Sequence, residues 1–321
     1  MSPTRRARAP GNAEVEIEGR RLKLSNLDKV LYPKAGFTKA QVIDYYVRIA
    51  PVLLPHVRGR PMTLKRYPNG VEGMHFYEKS CPKHRPDWVK TAPVWSDGRG
   101  ANIDFCLFDD LATLVWAANL ADLELHPYLH TKAALERPTV MVFDLDPGPP
   151  AGIVESCAVG LRIRELFEGF GLRAFPKTSG SKGLQVYVPL NTECSYDETK
   201  AFSRAVAEFL EGQTPDKVVS KMVKAIRGGK VLVDWSQNDD HKTTVGPYSL
   251  RAKDRPTVST PVAGEEVELC LKRKDPAILT FECDEVLRRV EKYGDLFAPV
   301  LSLRQKLPRA GTKALAHPPI R

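Results

Sequence analysis

Three carboxylates at the ends of two apolar runs are the side chains in this sequence best suited to chemistry. Asp144 and Asp146 lie two residues apart in FDLDPG, and Asp234 ends the run VLVD. Because side chains alternate along a strand, this spacing places Asp144 and Asp146 on one face. Oxygen ligands from two strands can hold a pair of Mg²⁺ or Mn²⁺ ions. One ion would lower the pKa of a primer 3′-hydroxyl and the other would bridge a triphosphate, so the pattern predicts an enzyme that adds nucleotides to a nucleic acid.

A glycine-rich turn lies between the two carboxylate runs. It consists of Ser179, Gly180, Ser181, Lys182 and Gly183. Glycine lets the backbone approach an oxyanion, and successive N–H groups form an anion-binding nest, to which the hydroxyls and the ammonium add donors and charge. The turn is not a Walker A motif, which requires GxxxxGK[ST], and an ordinary hairpin turn is the alternative.

Two further side chains are candidates for contact with phosphate. His126 in LELHP precedes the first carboxylate run, and Arg251 in PYSLR follows the second. A guanidinium suits bidentate contact with phosphate. A buried core histidine and an ordinary surface arginine are the alternatives.

Basic and aromatic residues occur together in LKRYPNG and MHFYEK. Lys65 and Arg66 could contact phosphate while Phe76 and Tyr77 stack on bases. Because Phe76 and Tyr77 are adjacent on an expected strand, they should face opposite ways, which leaves core packing open for one of them.

The composition favours a folded protein with a polyanionic partner. The chain has 321 residues, is 42% hydrophobic and carries a net charge of +9. We expect no membrane span, because there is no apolar run of about 18 residues, and no secretory signal, because the first residues lack an apolar h-region. The six scattered cysteines are expected to be reduced thiols of a cytoplasmic protein. Cys81 and His84 form a single CxxH, which lacks the second ligand pair of a zinc site.

The order of expected elements predicts an α/β or α+β fold built on a mixed sheet. Helices are expected at 38–49, 109–120, 153–170, 197–210 and 284–293, and strands at 61–67, 75–77, 139–145, 173–177, 184–190 and 230–234. Residues 1–13 and 304–321 are expected to be basic, disordered tails. The intervening residues 14–303 would form a catalytic domain of two packed lobes.

Two other functions are compatible with parts of the pattern. A haloacid-dehalogenase-like phosphatase would use Asp144 as a nucleophile, but its motif DxDx[TV] needs Thr or Val where this chain has Gly148. A non-catalytic module that binds DNA ends would have no need of three unpaired carboxylates in a cleft, since such charges are costly.

Over most of its length the sequence resembles the polymerase domain of bacterial ligase D, a branch of the archaeo-eukaryotic primase superfamily. The motifs occur in the family's order between about Leu24 and Leu301, as NLDKVLYP, RPMTLKRYPNG, HFYEK, LELHP, FDLDPG, TSGSKGL, VDWSQN and PYSLR. The resemblance implies a primase-type core, with mixed sheets and flanking helices around a cleft, that extends primers and fills short gaps in DNA repair. It also implies gapped or 5′-phosphorylated DNA and nucleoside triphosphates as substrates, a preference for ribonucleotides, activity supported best by Mn²⁺, and Ku and a ligase as partners.

The resemblance assigns roles to individual residues. The metal ions would be bound by Asp144, Asp146 and Asp234. The incoming nucleotide would be contacted by Lys65, Tyr77, His126, Ser179, Gly180, Ser181, Lys182, Gly183 and Arg251. DNA would be contacted by Asn26, Lys29, Lys39, Arg66, Phe76 and Arg227. In that set Lys29 and Lys39 hold a downstream 5′-phosphate, Phe76 stacks on the template, and Arg227 moves as the template arrives.

Two features depart from the family pattern. The family usually reads SGSKGLH, and this chain has Gln185 at the histidine position. No ligase or phosphoesterase sequence lies within these residues, which indicates a stand-alone relative of the mycobacterial primase-polymerase type, associated with the bacterial nucleoid. Gap filling in excision repair is then as good an expectation as non-homologous end joining.

Overall fold

The computed structural model describes residues 11–308 and Leu315. Its strands are β1 (Ala13–Ile17), β2 (Arg20–Leu24), β3 (Val30–Tyr32), β4 (Phe37–Thr38), β5 (Pro61–Arg66), β6 (Phe76–Glu78), β7 (Thr91–Ser96), β8 (Ala101–Leu107), β9 (Asp122–Pro127), β10 (Val140–Pro147), β11 (Phe175–Thr178), β12 (Leu184–Pro189), β13 (Val218–Val219) and β14 (Val231–Asp234). Its helices are α1 (Lys39–Val57), α2 (Leu111–Asn119), α3 (Ile153–Gly169), α4 (Tyr196–Gln213), α5 (Gly264–Arg273), α6 (Cys283–Tyr293) and α7 (Ala298–Ser302). This mixture of sheets and helices confirms the expected fold class.

One five-stranded sheet, here called the carboxylate sheet, has the order β11–β12–β10–β14–β13. Its neighbouring strands are antiparallel except β13 and β14, which are parallel. The apolar, β-branched runs of β10 and β12 are buried, as is typical of central strands. Helix α3 packs against β10 and β12. Gly160 permits this close approach, because a Cβ there would lie 2.7 Å from the Leu184 side chain.

The second five-stranded sheet is centred on β5. Strand β9 pairs with one edge of β5, while β8 and β6 pair with the start and the end of its other edge. Strand β7 pairs with β8 and completes the sheet. Strand β9 is buried along its whole length and carries two polar residues of the candidate site, Glu124 and His126.

The start of helix α1 is fixed by a capping box, and its length is supported by an apolar face. The Thr38 hydroxyl accepts a hydrogen bond from Gln41 N, and the Gln41 side chain accepts one from Thr38 N, which is a capping box. The sequence predicted an end near residue 49, but the helix continues through Pro51 and Pro55 to Val57. Burial of Leu53 and Val57 in the core offsets the hydrogen bonds that the two prolines cannot donate.

The expectation that all six cysteines are reduced is wrong for one pair. Cys81 and Cys106 form a disulfide, and their Cα atoms are 4.9 Å apart. Strand β8 brings Cys106 beside the segment that follows β6, and both residues are buried there. Because Cys81 is bonded to Cys106, it offers no thiolate that could bind zinc together with His84.

The expected tails fall mostly outside the described residues. Where the structure describes them, Ala13 belongs to β1 and Gln305 is buried. The Gln305 amide donates hydrogen bonds to the carbonyls of Arg173 and Pro189, so the expectation of a disordered tail is wrong at this residue.

Among the described helices, none combines the length and the apolar character needed to cross a membrane.

Candidate active site

Asp144, Asp146 and Asp234 share one face of the carboxylate sheet. In the antiparallel register of β10 and β14, Asp144 is directly opposite Asp234. Directly paired side chains point to the same face, and Asp146 joins them two residues further along β10. The strand pairing therefore brings the three predicted metal ligands together from two distant parts of the sequence.

The environment of Asp144 suits a cation. Burial raises the pKa of Asp144 to about 6, and the negative charges of Asp234 and Asp146 add to the rise. A divalent cation would offset this repulsion between carboxylates, and carboxylate oxygens are the ligands that Mg²⁺ and Mn²⁺ prefer. The donor set thus fits the divalent ions that the family resemblance implies.

Asp146 forms ion pairs with two cations, and the three carboxylates do not converge on one point. Lys182 Nζ lies 3.1 Å from Asp146 Oδ1, and Arg227 Nη1 lies 3.4 Å from its Oδ2. Within the described part of the chain, the one group of three acidic, His or Cys side chains with all ligand atoms within 4.8 Å of one another is a different one, Asp239, Asp240 and His241. Simultaneous ligation of one ion by the three predicted ligands therefore requires rotation of their side chains.

The glycine-rich turn closes around its own first side chain. Ser179 Oγ accepts hydrogen bonds from Ser181 N at 3.2 Å and from Gly183 N at 3.1 Å. Gly180 has a φ of +66°, and a Cβ on Gly183 would lie 2.1 Å from the Leu145 carbonyl oxygen, so both glycines are required. In this structure the Ser179 hydroxyl occupies the predicted anion nest, and a phosphate oxygen would have to replace it.

A cleft of about 370 Å³ gathers most of the predicted site residues. Its lining includes Tyr77, His126, Asp144, Asp146, Ser179, Ser181, Lys182, Gly183 and Arg251. The cleft is large enough for a small ligand, and it brings carboxylates, the glycine-rich turn and cations to one place. This combination can bind a phosphorylated ligand together with metal ions.

Glu124 links three predicted nucleotide contacts, although the sequence did not single it out. Its Oε2 lies 3.0 Å from His126 Nε2, 3.2 Å from Lys65 Nζ and 3.4 Å from Arg251 Nε. Burial by itself would raise the pKa of Glu124, but the hydrogen bond with His126 and the charge of Arg251 outweigh it and hold the pKa well below its ordinary value. The signal in the sequence was alternation, since Glu124 and His126 lie two apart and share a face of β9.

Strands β5 and β6 present two cation–aromatic pairs on opposite faces. The register pairs Lys65 with Tyr77 and Arg66 with Phe76. The cations lie 5.2 Å and 5.3 Å from the respective ring centres. The adjacent rings face opposite ways as predicted, but neither is in the core, because Phe76 is 39% and Tyr77 is 58% exposed. The Tyr77 and His126 rings form a T-shaped pair, with 6.0 Å between ring centres.

The predicted residues for a 5′-phosphate lie together at the start of α1. Lys29 N donates to Asn26 O at 3.1 Å, and Lys39 N donates to Lys29 O at 2.8 Å. The Lys39 ammonium is buried and donates to Ser25 O at 2.6 Å. Burial, followed by the charges of Lys29 and Arg66, lowers the pKa of Lys39 to about 8. None of the described carboxylates forms an ion pair with Lys39, so an anion would be favourable here.

Two further polar residues extend the row of Asp144 across the carboxylate sheet. Gln185 pairs with Asp144 on one side and with Lys177 on the other. Gln185 Nε2 donates to Thr244 Oγ1 at 3.1 Å, while its buried Oε1 has no partner among the described residues. Lys177 donates to Ser259 Oγ at 2.6 Å, and burial lowers its pKa well below the ordinary value. The departure from the family motif thus lies directly beside Asp144.

Comparison with known sequences identifies relatives of most of the chain. The family model for the LigD primase-polymerase domain matches residues 38–297. The chain is 41% identical over 282 residues to the multifunctional non-homologous end joining protein LigD of Mycolicibacterium smegmatis, covering 87% of this chain and 36% of that protein. It is 32% identical over 276 residues to the bifunctional LigD of Bacillus subtilis, covering 85% of this chain and 43% of that protein. The chain therefore spans less than half the length of these relatives.

Comparison with solved structures gives the same result. The fold is similar to that of the polymerase domain of Mycobacterium tuberculosis ligase D, which was solved in complex with DNA. The TM-score is 0.81 at 38% identity, and the match covers 89% of this chain and 99% of that domain.

Proposed function

Since this chain belongs to the family of LigD primase-polymerase domains, we propose that it is a template-dependent DNA nucleotidyltransferase that extends primer ends and fills short gaps. The observation that carries the proposal is the common face on which Asp144 and Asp234 meet, beside a cleft lined by Lys182 and Arg251. Membership of this family excludes the alternative of a haloacid-dehalogenase-like phosphatase.

The residues of the cleft divide the chemistry between them. Asp144, Asp146 and Asp234 would hold two divalent ions, Mg²⁺ or Mn²⁺, which when bound activate a 3′-hydroxyl and offset the charge of the triphosphate. Lys182 and Arg251 add positive charge that stabilises the departing pyrophosphate.

The opposite wall would orient the nucleotide. Lys65 and His126 supply polar contacts to its sugar and phosphates. The exposed face of Tyr77 offers a surface on which a base can stack. The turn from Ser179 to Gly183 would hold phosphate oxygens once the Ser179 hydroxyl moves aside.

DNA would be held by residues outside the cleft. Phe76 is exposed and would stack on the template base, with Arg66 behind its ring. Arg227, which contacts Asp146, would respond to arrival of the template. Asn26, Lys29 and Lys39 would hold the 5′-phosphate of the downstream strand. The net charge of +9 favours this polyanionic substrate.

We place the activity in bacterial DNA repair. The relatives are named for non-homologous end joining, and this chain would act there or in filling short gaps during excision repair. Ribonucleoside triphosphates are the preferred substrates in this proposal, and Ku and a DNA ligase at the nucleoid are the partners.

Extension of a labelled, gapped duplex tests the proposal. Each ribonucleotide and deoxyribonucleotide is supplied separately, with Mg²⁺ or Mn²⁺, opposite each template base. We expect addition of the complementary nucleotide by the wild type and none by Asp144→Asn. Binding of the gapped duplex without extension under every condition would favour the non-catalytic end-binding module instead. Release of phosphate without template dependence would indicate a hydrolase.

A further inference from the structure

We propose that Glu124 is a positioning residue that sets the arrangement of the side chains binding the nucleoside triphosphate, its sugar included, an inference that rests on the function proposed above. It touches no reacting atom in this proposal. It acts through Lys65, His126 and Arg251, each of which comes from a different segment of the chain.

The burial of Glu124 shows that its position is fixed. Glu124 is only 1% exposed, and a carboxylate in such a place is costly unless its oxygens are paired. Oε1 accepts hydrogen bonds from Ala252 N at 3.0 Å and from Tyr67 Oη at 3.4 Å. Oε2 faces the three nitrogen atoms of the predicted nucleotide contacts. Both oxygens are therefore used, and the carboxylate has little freedom to move.

Glu124 also connects the second sheet with the glycine-rich turn. Arg251 Nε faces Glu124, while Arg251 Nη1 donates to the Ser179 carbonyl at 2.5 Å. The guanidinium thus spans from β9 to the first residue of the turn. Loss of the carboxylate would leave Arg251 attached at one end only, so its direction in the cleft would no longer be fixed.

The same carboxylate determines which nitrogen of His126 can meet a ligand. An ionised carboxylate has no proton to donate, so Nε2 of His126 carries the hydrogen of the bond to Glu124. None of the described residues bonds the other ring nitrogen, Nδ1. The ring lines the cleft, so Nδ1 is the atom that remains to accept a hydrogen bond, which a hydroxyl of the nucleotide sugar can donate.

The charges of the cluster allow two roles for Glu124 to be distinguished: orienting Lys65 and Arg251, or merely neutralising them. Lys65 and Arg251 carry two positive charges and Glu124 one negative charge, so the cluster keeps a net charge of +1 (2 − 1) with His126 neutral. If Glu124 merely competed with the nucleotide for these cations, its removal would tighten triphosphate binding. If Glu124 positions them, its removal weakens binding, because the two cations repel each other and lose their orientation.

The substitution Glu124→Gln tests this choice, since it keeps the shape and removes the charge. The matched control is Glu266→Gln, which breaks a bidentate pair with Arg289 on α5 and α6. We measure the Kd of a nucleoside triphosphate by calorimetry, KM and kcat for gap filling, the affinity for gapped DNA, and the melting temperature. For Glu124→Gln we expect Kd and KM to rise about tenfold with unchanged DNA affinity. For the control Glu266→Gln we expect unchanged Kd and KM, and no effect other than a lower melting temperature. An unchanged or lower nucleotide Kd in folded Glu124→Gln overturns the proposal.

A double-mutant cycle with Arg251→Ala shows whether Glu124 acts through its partner. We expect Glu124→Gln to change KM much less in the Arg251→Ala background, and full additivity of the two effects would contradict positioning. Should Glu124→Gln fail to fold, Glu124→Asp serves as the test, because it keeps the charge but moves the carboxylate oxygens away from their partners. A raised nucleotide Kd for Glu124→Asp supports positioning, and an unchanged Kd overturns it. Because triphosphate binding is measured directly, absence of extension by the wild type would count against the proposed function alone.

Discussion

Asp144 and Asp234 lie directly opposite each other across the antiparallel pair of β10 and β14. A shift of that register by one residue would turn one carboxylate away from the other, so the pairing itself builds the site. The same pairing sets two like charges side by side, which destabilises the metal-free protein. Formation of the site and loss of stability therefore come from one structural relationship.

The first prediction concerns catalysis. Asp144→Asn and Asp234→Asn should each abolish primer extension, because an amide is a poor ligand for the ions that the reaction needs. Affinity for gapped DNA should change little, since other residues contact its phosphates. Gel-shift titrations beside the extension assay check both parts. Extension at the wild-type rate by either variant would falsify the assignment of the metal ligands.

The second prediction concerns pH and metal ions. The pKa of Asp144 is raised from 3.8 to about 6 in the folded state. Its protonation therefore stabilises the fold, and this contribution is fully present below about pH 4 and is lost as the pH rises through about 6. Without metal, the melting temperature of the wild type should fall over that range more than that of Asp144→Asn. At about pH 7.5, Mg²⁺ should raise the melting temperature of the wild type alone. If the melting temperatures of the wild type and Asp144→Asn change equally with pH, the raised pKa of Asp144 does not affect stability as predicted.

The third prediction concerns the downstream 5′-phosphate. Lys29→Ala or Lys39→Ala should weaken binding of gapped DNA by about 1–3 kcal/mol when that phosphate is present, and much less when it is absent. Because the pKa of Lys39 is lowered to about 8, the preference should decline as the pH rises through that value. Lys272→Ala, at an exposed position of α5, serves as the control. Equal losses with and without the phosphate would mean that these lysines are general backbone contacts.

The fourth prediction concerns the exposed aromatic pair. Phe76→Ala should weaken template engagement and Tyr77→Ala nucleotide binding, each by about 1–3 kcal/mol if the ring stacks on a base. Neither should lower the melting temperature much, because both rings are exposed. Melting curves measured beside the affinities separate the two roles. A large loss of stability with normal specific activity would assign that ring to the fold.

The parts of the site that the sequence predicted are those encoded by local patterns. Asp144 and Asp146 follow from alternation within one strand, and the turn at Ser179 follows from its glycines. The strands predicted on either side of that turn, 173–177 and 184–190, are also confirmed, and they pair with each other as β11 and β12.

The parts that the sequence did not predict depend on which strands become neighbours. Glu124 and Lys177 are charged residues in buried strands, and their roles appear only when Arg251 and Gln185 are placed beside them. The disulfide was missed for the same reason, since Cys81 meets Cys106 only because the fold places the segment after β6 beside β8. The fold thus decides the partners of buried polar groups, which no local spacing reveals.

The fifth prediction concerns that disulfide. It closes a loop with a sequence separation of 25 residues, so it should stabilise the fold by about 3 kcal/mol, chiefly by restricting the unfolded chain. Dithiothreitol should therefore lower the melting temperature of the wild type. The double variant Cys81→Ser/Cys106→Ser should melt lower and should not respond to the reductant. A response to dithiothreitol in the double variant would trace the effect to another cysteine.

The last prediction takes up Gln185. Its amide nitrogen donates to Thr244 Oγ1, so one of its two N–H groups is already used and only the other remains to donate to a phosphate oxygen. An amide also cannot carry the charge of a protonated imidazole. We expect Gln185→Ala to raise the nucleotide KM modestly, and Gln185→His to be tolerated or to tighten binding below about pH 6.5. Lys182→Ala should be much more harmful, because it removes a full positive charge from the cleft. Steady-state kinetics across pH on one gapped substrate establish the order. If Gln185→Ala proves worse than Lys182→Ala, the glycine-rich turn does not hold phosphate as proposed, and the nucleotide site must be redrawn.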